Sequence, residues 1–391
     1  MSESQRSYDV IVFGATGFTG RLAAEYLARK ALEEPLRWAI AGRSAARLAE
    51  VKAALVAVNP ACSSLGVIEA SSGDPASLER MAAQTRVVLT TVGPYAEHGE
   101  PLVAACIKEG THYADITGEP EFVDGLLDRH HAAARARGVR IVNCCGFDSI
   151  PHDLGALFTV KQLPSGAPIT VEGFVRSRGT FSGGTWQSAI GAMAKLRDRP
   201  KRPRAEDPTG RKVRAIKPRI RYEARLNAWV CPLPTIDPQI VLRSARALEA
   251  FGPDFRYGHY VQVRSAISLV GLVVGVGTVV ALAQIAPARE LLRKVRGSGE
   301  GPSAEERARS FFKVTFHGTS GASRVVTRVS GGDPGYTETA KMVAESALCL
   351  ALDSDALSSP GGVLTPAEAM GDVLLGRLQK AGIKFEVLEK S

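Results

Sequence analysis

Short apolar, β-rich runs alternate with segments of helical period along the first part of the chain. Tyr8–Phe13 (YDVIVF) and residues 36–41 (LRWAIA), 65–70, 86–91, 112–116 and 139–143 read as strands. Residues 19–30, 45–58, 74–84 and 100–109 read as helices, with one more between the last two strands. Asn59-Pro60 stops the second helix, Asp74-Pro75 supplies an N-cap and first-turn proline to the third, and Gly110 ends the fourth. Strands separated by single helices predict a parallel, doubly wound sheet.

Beyond Gly155 the pattern changes. Residues 169–178 alternate as an antiparallel strand does, 185–196 look helical, and further strands are expected near 309–316 and 322–330. Residues 197–221 are basic and proline-rich and read as an exposed loop or hairpin. Residues 336–352 and 365–381 are helical again. The expected class is α/β: a doubly wound N-terminal domain over 1–150, then a second α+β domain over 151–335 with a largely antiparallel sheet. A helical segment over 336–391 is expected to return to the first domain.

One segment breaks the amphipathic pattern. Residues 265–288, SAISLVGLVVGVGTVVALAQIAPA, carry no charge and are followed by Arg289, Arg293, Lys294 and Arg296. A run of about 20 apolar residues can cross a bilayer. A single crossing would put the two halves of one fold on opposite sides, and Gly271, Gly275 and Gly277 permit close helix packing. The segment therefore reads first as an interfacial, monotopic membrane contact, next as a buried or homodimer-interface helix, and last as a true span.

Composition narrows the class. The 391 residues are 45% hydrophobic and 23% charged, as in folded globular proteins. The net charge of +9 is too mild for a nucleic-acid footprint and favours smaller anionic partners: a phosphorylated cofactor, lipid headgroups or an acidic carrier protein. The six cysteines (62, 106, 144, 145, 231, 349) form no CxxC pair and no zinc-ligand spacing with histidine, so they read as reduced thiols, and no metal is expected. Cys144 and Cys145 fall at the end of a predicted strand, where neighbouring side chains point to opposite faces. The N-terminus runs from a short polar tail straight into a strand without a secretory signal, so a cytoplasmic protein is expected, with membrane association through the apolar segment.

The strongest chemical motif is Gly14-Ala15-Thr16-Gly17-Phe18-Thr19-Gly20, which follows a strand and opens a helix. Gly14 permits a sharp turn, Gly17 removes a side chain where a pyrophosphate approaches, and Gly20 lets helix pack on strand. The helix N-terminus then offers N–H groups and partial positive charge to phosphate. The second strand runs into Gly42-Arg43-Ser44 with no acid to bind a ribose 2′-hydroxyl. Arg43 can pair with a 2′-phosphate and stack on adenine, and Ser44 can add a hydrogen bond, so the predicted cofactor is NADP(H).

The loop after the fourth strand, Thr91, Val92, Gly93 and Pro94, lies at the sheet edge where ligands bind, and is assigned to the nicotinamide side. Tyr95 is a candidate proton donor there, against the alternative of a packing aromatic. Asp115–Glu119 and Gly146–Pro151 end the later strands at the same edge; Asp148 is the second catalytic candidate, and capping or turn roles are the alternative for both segments. His98 and His152 also fall near this edge.

At these residues the sequence resembles the saccharopine dehydrogenase-like oxidoreductases. GATGFTG, AGRS, VGPY with HGEPLV, THYADITGE, GFDSIPHDLG, SGGT, PTIDPQIVLRSA, GGDPGY and GGVLTPAEAM follow one another with that family's order, nearest to its trans-acting enoyl reductase subgroup. The resemblance spans nearly the whole chain. It implies a Rossmann domain, a second domain with a large sheet, and NADPH-dependent reduction of a carbon–carbon double bond in an acyl chain. It also implies membrane or lipid-droplet association, as in the animal branch. Two alternatives stay open: an imine or amino-acid dehydrogenase, and an NADP(H)-binding, lipid-associated protein without turnover. The chain departs from the pattern at Ala70-Ser71-Ser72-Gly73, where an acid near the adenine is expected.

Overall fold

The β-rich runs of the first part become β1 (Tyr8–Phe13), β2 (Trp38–Gly42), β3 (Gly66–Glu69), β4 (Thr85–Thr90), β5 (His112–Asp115) and β6 (Arg140–Val142). With β14 (Gly362–Leu364) they form one sheet in the order β14-β6-β5-β4-β1-β2-β3, every pair parallel. Strand order 3-2-1-4-5-6 is that of two mononucleotide-binding halves meeting between β1 and β4. The computed structural model describes residues 6–179, 190, 210–233, 235–294 and 301–391. The chain forms two units: Met1–Ile150 with Gly335–Ala381, and Pro151–Pro334 with Gly382–Ser391.

Helices α1 (Phe18–Lys30), α2 (Ala45–Val58), α3 (Pro75–Ala82), α4 (Tyr95–Glu109) and α5 (Pro120–Ala136) link the strands of the first unit. Asp74 caps α3 at the Ser77 N–H, 3.2 Å away, as its sequence predicts. Helix α4 starts five residues earlier than the pattern suggested. Pro94 at its N-cap offers no cap side chain; Glu119 reaches across instead and accepts from the N–H groups of Tyr95 (3.1 Å) and Ala96 (2.8 Å).

Two C-terminal helices belong to the first unit, α11 (Thr337–Leu352) and α12 (Pro366–Lys380). Helix α11 is buried on all sides from Met342 to Ala351, packing on α1, β1, β4 and β5, as its lack of a polar stripe requires. Thr365 and Glu368 form a reciprocal capping box at the start of α12. Arg140 on β6 secures the linking loop, its guanidinium donating to the carbonyls of Leu357 and Ser359 and to Ser354 Oγ at 3.1–3.2 Å.

The second unit opens with α6 (Ile150–Val160) and holds one mixed sheet. Its strands are β7 (Ile169–Arg178), β8 (Lys212–Ala215), β9 (Arg221–Glu223), β10 (Ala228–Pro232), β11 (Asp254–Val263), β12 (Phe311–Ser320), β13 (Ser323–Gly331) and β15 (Lys384–Lys390). The order is β15-β13-β12-β7-β11-β10-β9, with β8 on β11; β7–β11 and β8–β11 are parallel and the other pairs antiparallel. The last residues, expected to stay with the first domain, instead add β15 to this sheet. The unit's helices are α7 (Asp237–Ala247), α8 (Ala266–Ala283), α9 (Ala286–Lys294) and α10 (Ala304–Ala308). The expected helix at 185–196 (but for Ile190), the SGGT motif and most of the basic stretch 197–221 lie outside the described residues.

Candidate functional site

The glycine turn between β1 and α1 is built by close approach. Gly14 has φ +94°, and a Cβ there would sit 2.8 Å from Val92 Cγ2 and 2.9 Å from Thr91 Oγ1. A Cβ on Gly20 would lie 2.1 Å from the Gly14 carbonyl oxygen, so only glycine lets α1 rest against the turn. The Gly14 carbonyl accepts from Gly17 N (2.9 Å) and from the Thr91 hydroxyl (3.3 Å), which joins the turn to the loop after β4. Gly17 is exposed, and a Cβ there would meet only the Gly14 oxygen, at 3.3 Å, with open space beyond.

These features fit a pyrophosphate. Helix α1 has no side-chain hydrogen bond at its N-cap and no acid in its first turn, the arrangement that suits a helix N-terminus receiving an anion. The first turn of α4, three strands further along the chain, is by contrast closed by Glu119. Thr16, Phe18 and Thr19 are half-buried around the turn, and Phe18 is wedged edge-on against Tyr336 with ring centroids 4.8 Å apart.

Arg43, just past β2, is exposed and makes no ion pair or hydrogen bond among the described residues. Ser44 caps α2, its Oγ accepting from Arg47 N at 3.4 Å, which leaves its hydroxyl proton free to donate. Arg47 is a second exposed cation in an α2 first turn that carries no acid; the sequence reading passed over it. Residues 41–47 carry no carboxylate, while Glu69 at the end of β3 lies across from Gly42. In the loop after β3, Ser71 N donates to Ser77 Oγ at 3.1 Å and Asp74 caps α3.

On the other side of β1, Thr91, Val92 and Pro94 are half-buried and Gly93 is exposed. Tyr95 is placed differently from the proton-donor expectation. It is 5% exposed, packs against Phe122, donates its hydroxyl to the Thr90 carbonyl at 3.2 Å and receives Ile116 N at 3.4 Å. Burial, with Asp115 nearby, pushes its phenol well above the ordinary range. A buried, doubly engaged hydroxyl is not poised to donate a proton; the packing alternative describes it. The physical reason is the early start of α4, which turns Tyr95 inward.

Asp115 closes the β5 and β6 strand ends. Its fully buried carboxylate accepts from Tyr113 Oη (2.9 Å), Asn143 Nδ2 (2.7 Å), Cys144 N (2.9 Å) and Thr117 N (3.1 Å). Burial raises its pKa to about 6 against the lowering effect of these bonds. Cys144 lies beyond the strand rather than in it, at φ +63°, where this carboxylate holds it. Asp148 is half-buried beside Gly118, where a Cβ would come within 3.2 Å of Asp148 Oδ2. His98 is exposed on α4, whereas His152 is buried in the second unit.

The sheet order, the uncapped glycine turn and the acid-free end of β2 define the first unit as the NADP-binding domain of an oxidoreductase. Known proteins agree. The family model for the saccharopine dehydrogenase NADP binding domain matches residues 10–142. A trans-acting enoyl reductase of Mycobacterium leprae is 36% identical over 98% of both chains. The saccharopine dehydrogenase-like oxidoreductase of Mus musculus is 35% identical over 100% of both. Among solved structures, apo saccharopine dehydrogenase (L-Glu forming) from Saccharomyces cerevisiae superposes with TM-score 0.54 at 12% identity, covering 97% of this chain and 99% of its own, a likeness of fold. The chain belongs to the saccharopine dehydrogenase-like oxidoreductase family and is an NADP-dependent oxidoreductase.

Proposed function

We propose that the protein is an NADPH-dependent enoyl reductase acting on an acyl chain of polyketide or lipid type. The observation that carries this reading is the end-to-end likeness to proteins named trans-acting enoyl reductases. NADPH supplies a hydride from nicotinamide C4 when bound. The chain's own residues hold and orient it: the Gly14–Gly20 turn receives the phosphates, Arg43 and Ser44 read the 2′-phosphate, and the loop 91–94 flanks the nicotinamide. The Asp115 and Glu119 bonds keep the neighbouring loops rigid. In this reading Asp148 is the candidate proton donor at that edge. A net charge of +9 suits an acyl chain presented on an acidic carrier protein. Following NADPH oxidation with 2-enoyl thioesters, and separately with a 2-oxo acid plus an amine, tests the proposal. Turnover is expected with the thioesters; turnover with the amine mixture alone would replace it by the imine reading, and turnover with neither by the non-catalytic one.

A membrane-associated location rests on a separate observation. Helix α8 is 18 residues long, uncharged, and only 11% of it is buried. Ile267, Val270 and Val274 are 86%, 62% and 61% exposed. A Cβ at Gly271, Gly275 or Gly277 would meet nothing within 4 Å, so these glycines do not pack the helix on its own chain. Such an apolar surface is larger than water tolerates without a partner, and Arg264 and Arg289 flank it to meet anionic headgroups. Flotation with anionic liposomes is expected to carry the protein upward, salt reducing but not abolishing it, because the apolar contribution survives screening. Val270→Asp with Val274→Asp should leave it at the bottom. Equal flotation of the variant would contradict the lipid contact, and a soluble dimer lost in the variant would assign α8 to a subunit interface.

A further inference from the structure

Three distant segments of the second unit converge on a buried cluster. His152 comes from α6, Asp237 opens α7 and His259 lies in β11, positions 85 and 22 residues apart in sequence. They are 1%, 2% and 6% exposed. His152 Nδ1 stands 3.3 Å from Asp237 Oδ1, and His259 Nε2 stands 3.5 Å from Asp237 Oδ2. The two imidazoles meet edge to face, centroids 4.8 Å apart, and one donor atom from each of the three side chains lies within 4.8 Å of the others.

These separations exceed the about 2.7–2.9 Å of a charge-assisted hydrogen bond. Bonds of about 2.0–2.1 Å in a tetrahedron set neighbouring donors about 3.3–3.4 Å apart, close to the two separations here, which end on the two different oxygens of Asp237. His259 Nε2 makes no hydrogen bond among the described residues, although it is buried. Tyr257 Oη lies 3.0 Å from His259 Nδ1 and can accept its proton, the tautomer that turns the Nε2 lone pair toward Asp237. The Thr235 hydroxyl donates to the Asp237 carboxylate and orients it.

We propose that His152, Asp237 and His259 bind one divalent transition-metal cation of the zinc(II), cobalt(II) or iron(II) kind. Two imidazoles and one carboxylate are the donor set such ions prefer, and three protein ligands leave a coordination position open. The ion would tie α6, α7 and β11 together at a point where no disulfide or apolar contact joins these three side chains.

The test is elemental analysis of the full chain after incubation with Zn²⁺ and gel filtration, together with the visible spectrum after Co²⁺ substitution. About one equivalent per chain and a tetrahedral-type cobalt spectrum are expected, with a lower Tm after chelation that Zn²⁺ restores. Asp237→Asn and His259→Gln should lose the metal. Because either substitution can compromise folding, Tyr257→Phe provides the second variant: it keeps all three ligands and should weaken Zn²⁺ affinity about 10- to 100-fold with circular dichroism unchanged. A folded wild-type chain that retains no Zn²⁺ and shows no Tm response to it would overturn the proposal and leave an imidazolium–carboxylate–imidazole triad.

Discussion

We propose that Arg43, exposed just past β2 and without an ion pair or hydrogen bond among the described residues, carries the choice of cofactor. Arg43→Ala is expected to weaken NADPH binding by about 1.5–3 kcal/mol, roughly 10- to 100-fold in Kd, with NADH binding little changed. Calorimetry with both cofactors checks this, and an equal loss for both would remove Arg43 from the 2′-phosphate. His112 supplies a pH dependence. Burial pushes its pKa down to about 3, with Arg140, Arg86 and Arg6 adding to the effect, while Nδ1 accepts the Arg140 N–H at 3.0 Å. A histidine depressed in the folded state contributes stability that is complete above pH about 6.5 and lost as pH falls toward 3, about 3 kcal/mol by pH 4. Asp115, raised to about 6, works in the opposite sense: its contribution is present below pH about 4 and lost as pH rises through 6. Comparing wild type with His112→Gln at each pH cancels the Asp115 effect. The wild-type advantage in unfolding free energy should shrink from pH 7 to pH 4, and a constant difference would contradict the assignment. The glycine turn and Arg43 were legible because their chemistry is written within a few consecutive residues. Tyr95 was not, because the cap that turns it inward comes from Glu119, 24 positions later. The His152, Asp237 and His259 cluster was invisible for the same reason, since only the fold brings those positions together.

At the level of elements, periodicity located the helices of the first unit and both C-terminal ones to within a few residues. It missed β14, because a three-residue strand has no period to read, and it missed β8 to β11 and β15, which are short, exposed on one side or interrupted by charge. What holds the C-terminal helices in the first unit is partly ionic. Arg377 on α12 pairs with Glu345 of α11 at 2.8 Å, with Asp353 at 2.9 Å and with Glu34 at 2.9 Å, while Tyr26 Oη donates to Glu345 Oε1 at 2.5 Å. The Glu345 side chain is only 2% exposed, so removing its main cation strands a buried charge. Arg377→Met is expected to cost about 3 kcal/mol in urea unfolding, and adding Glu345→Gln should recover a good part of that loss. A single-variant cost below about 0.5 kcal/mol, the usual scale of a surface change, would show that apolar packing alone anchors these helices. Helix α8 was found by its uncharged run, but composition could not say that the fold leaves most of it exposed.

For the whole molecule, the class of fold was legible because strand–helix alternation fixes a parallel sheet, and strand order then fixes where a dinucleotide lies. The division of labour was less so: the chain leaves the first unit at Ile150, returns at Gly335, and gives its last ten residues to the second sheet. Nothing local in residues 382–391 announces a partner in β13. The substrate lies further still from sequence, since specificity belongs to shape and charge assembled from many segments. The central claim is that NADPH bound at the α1 turn delivers its hydride to a conjugated acyl double bond. The most direct measurement supplies NADPH deuterated at C4, one epimer at a time, with a 2-enoyl thioester, and analyses the product by mass spectrometry, using Gly17→Val as a control that blocks the phosphate turn. One epimer is expected to yield a saturated thioester carrying a single deuterium at C3, with none from the folded Gly17→Val protein. Label remaining wholly in the nicotinamide with both epimers, or equal transfer by the control, would contradict the claim.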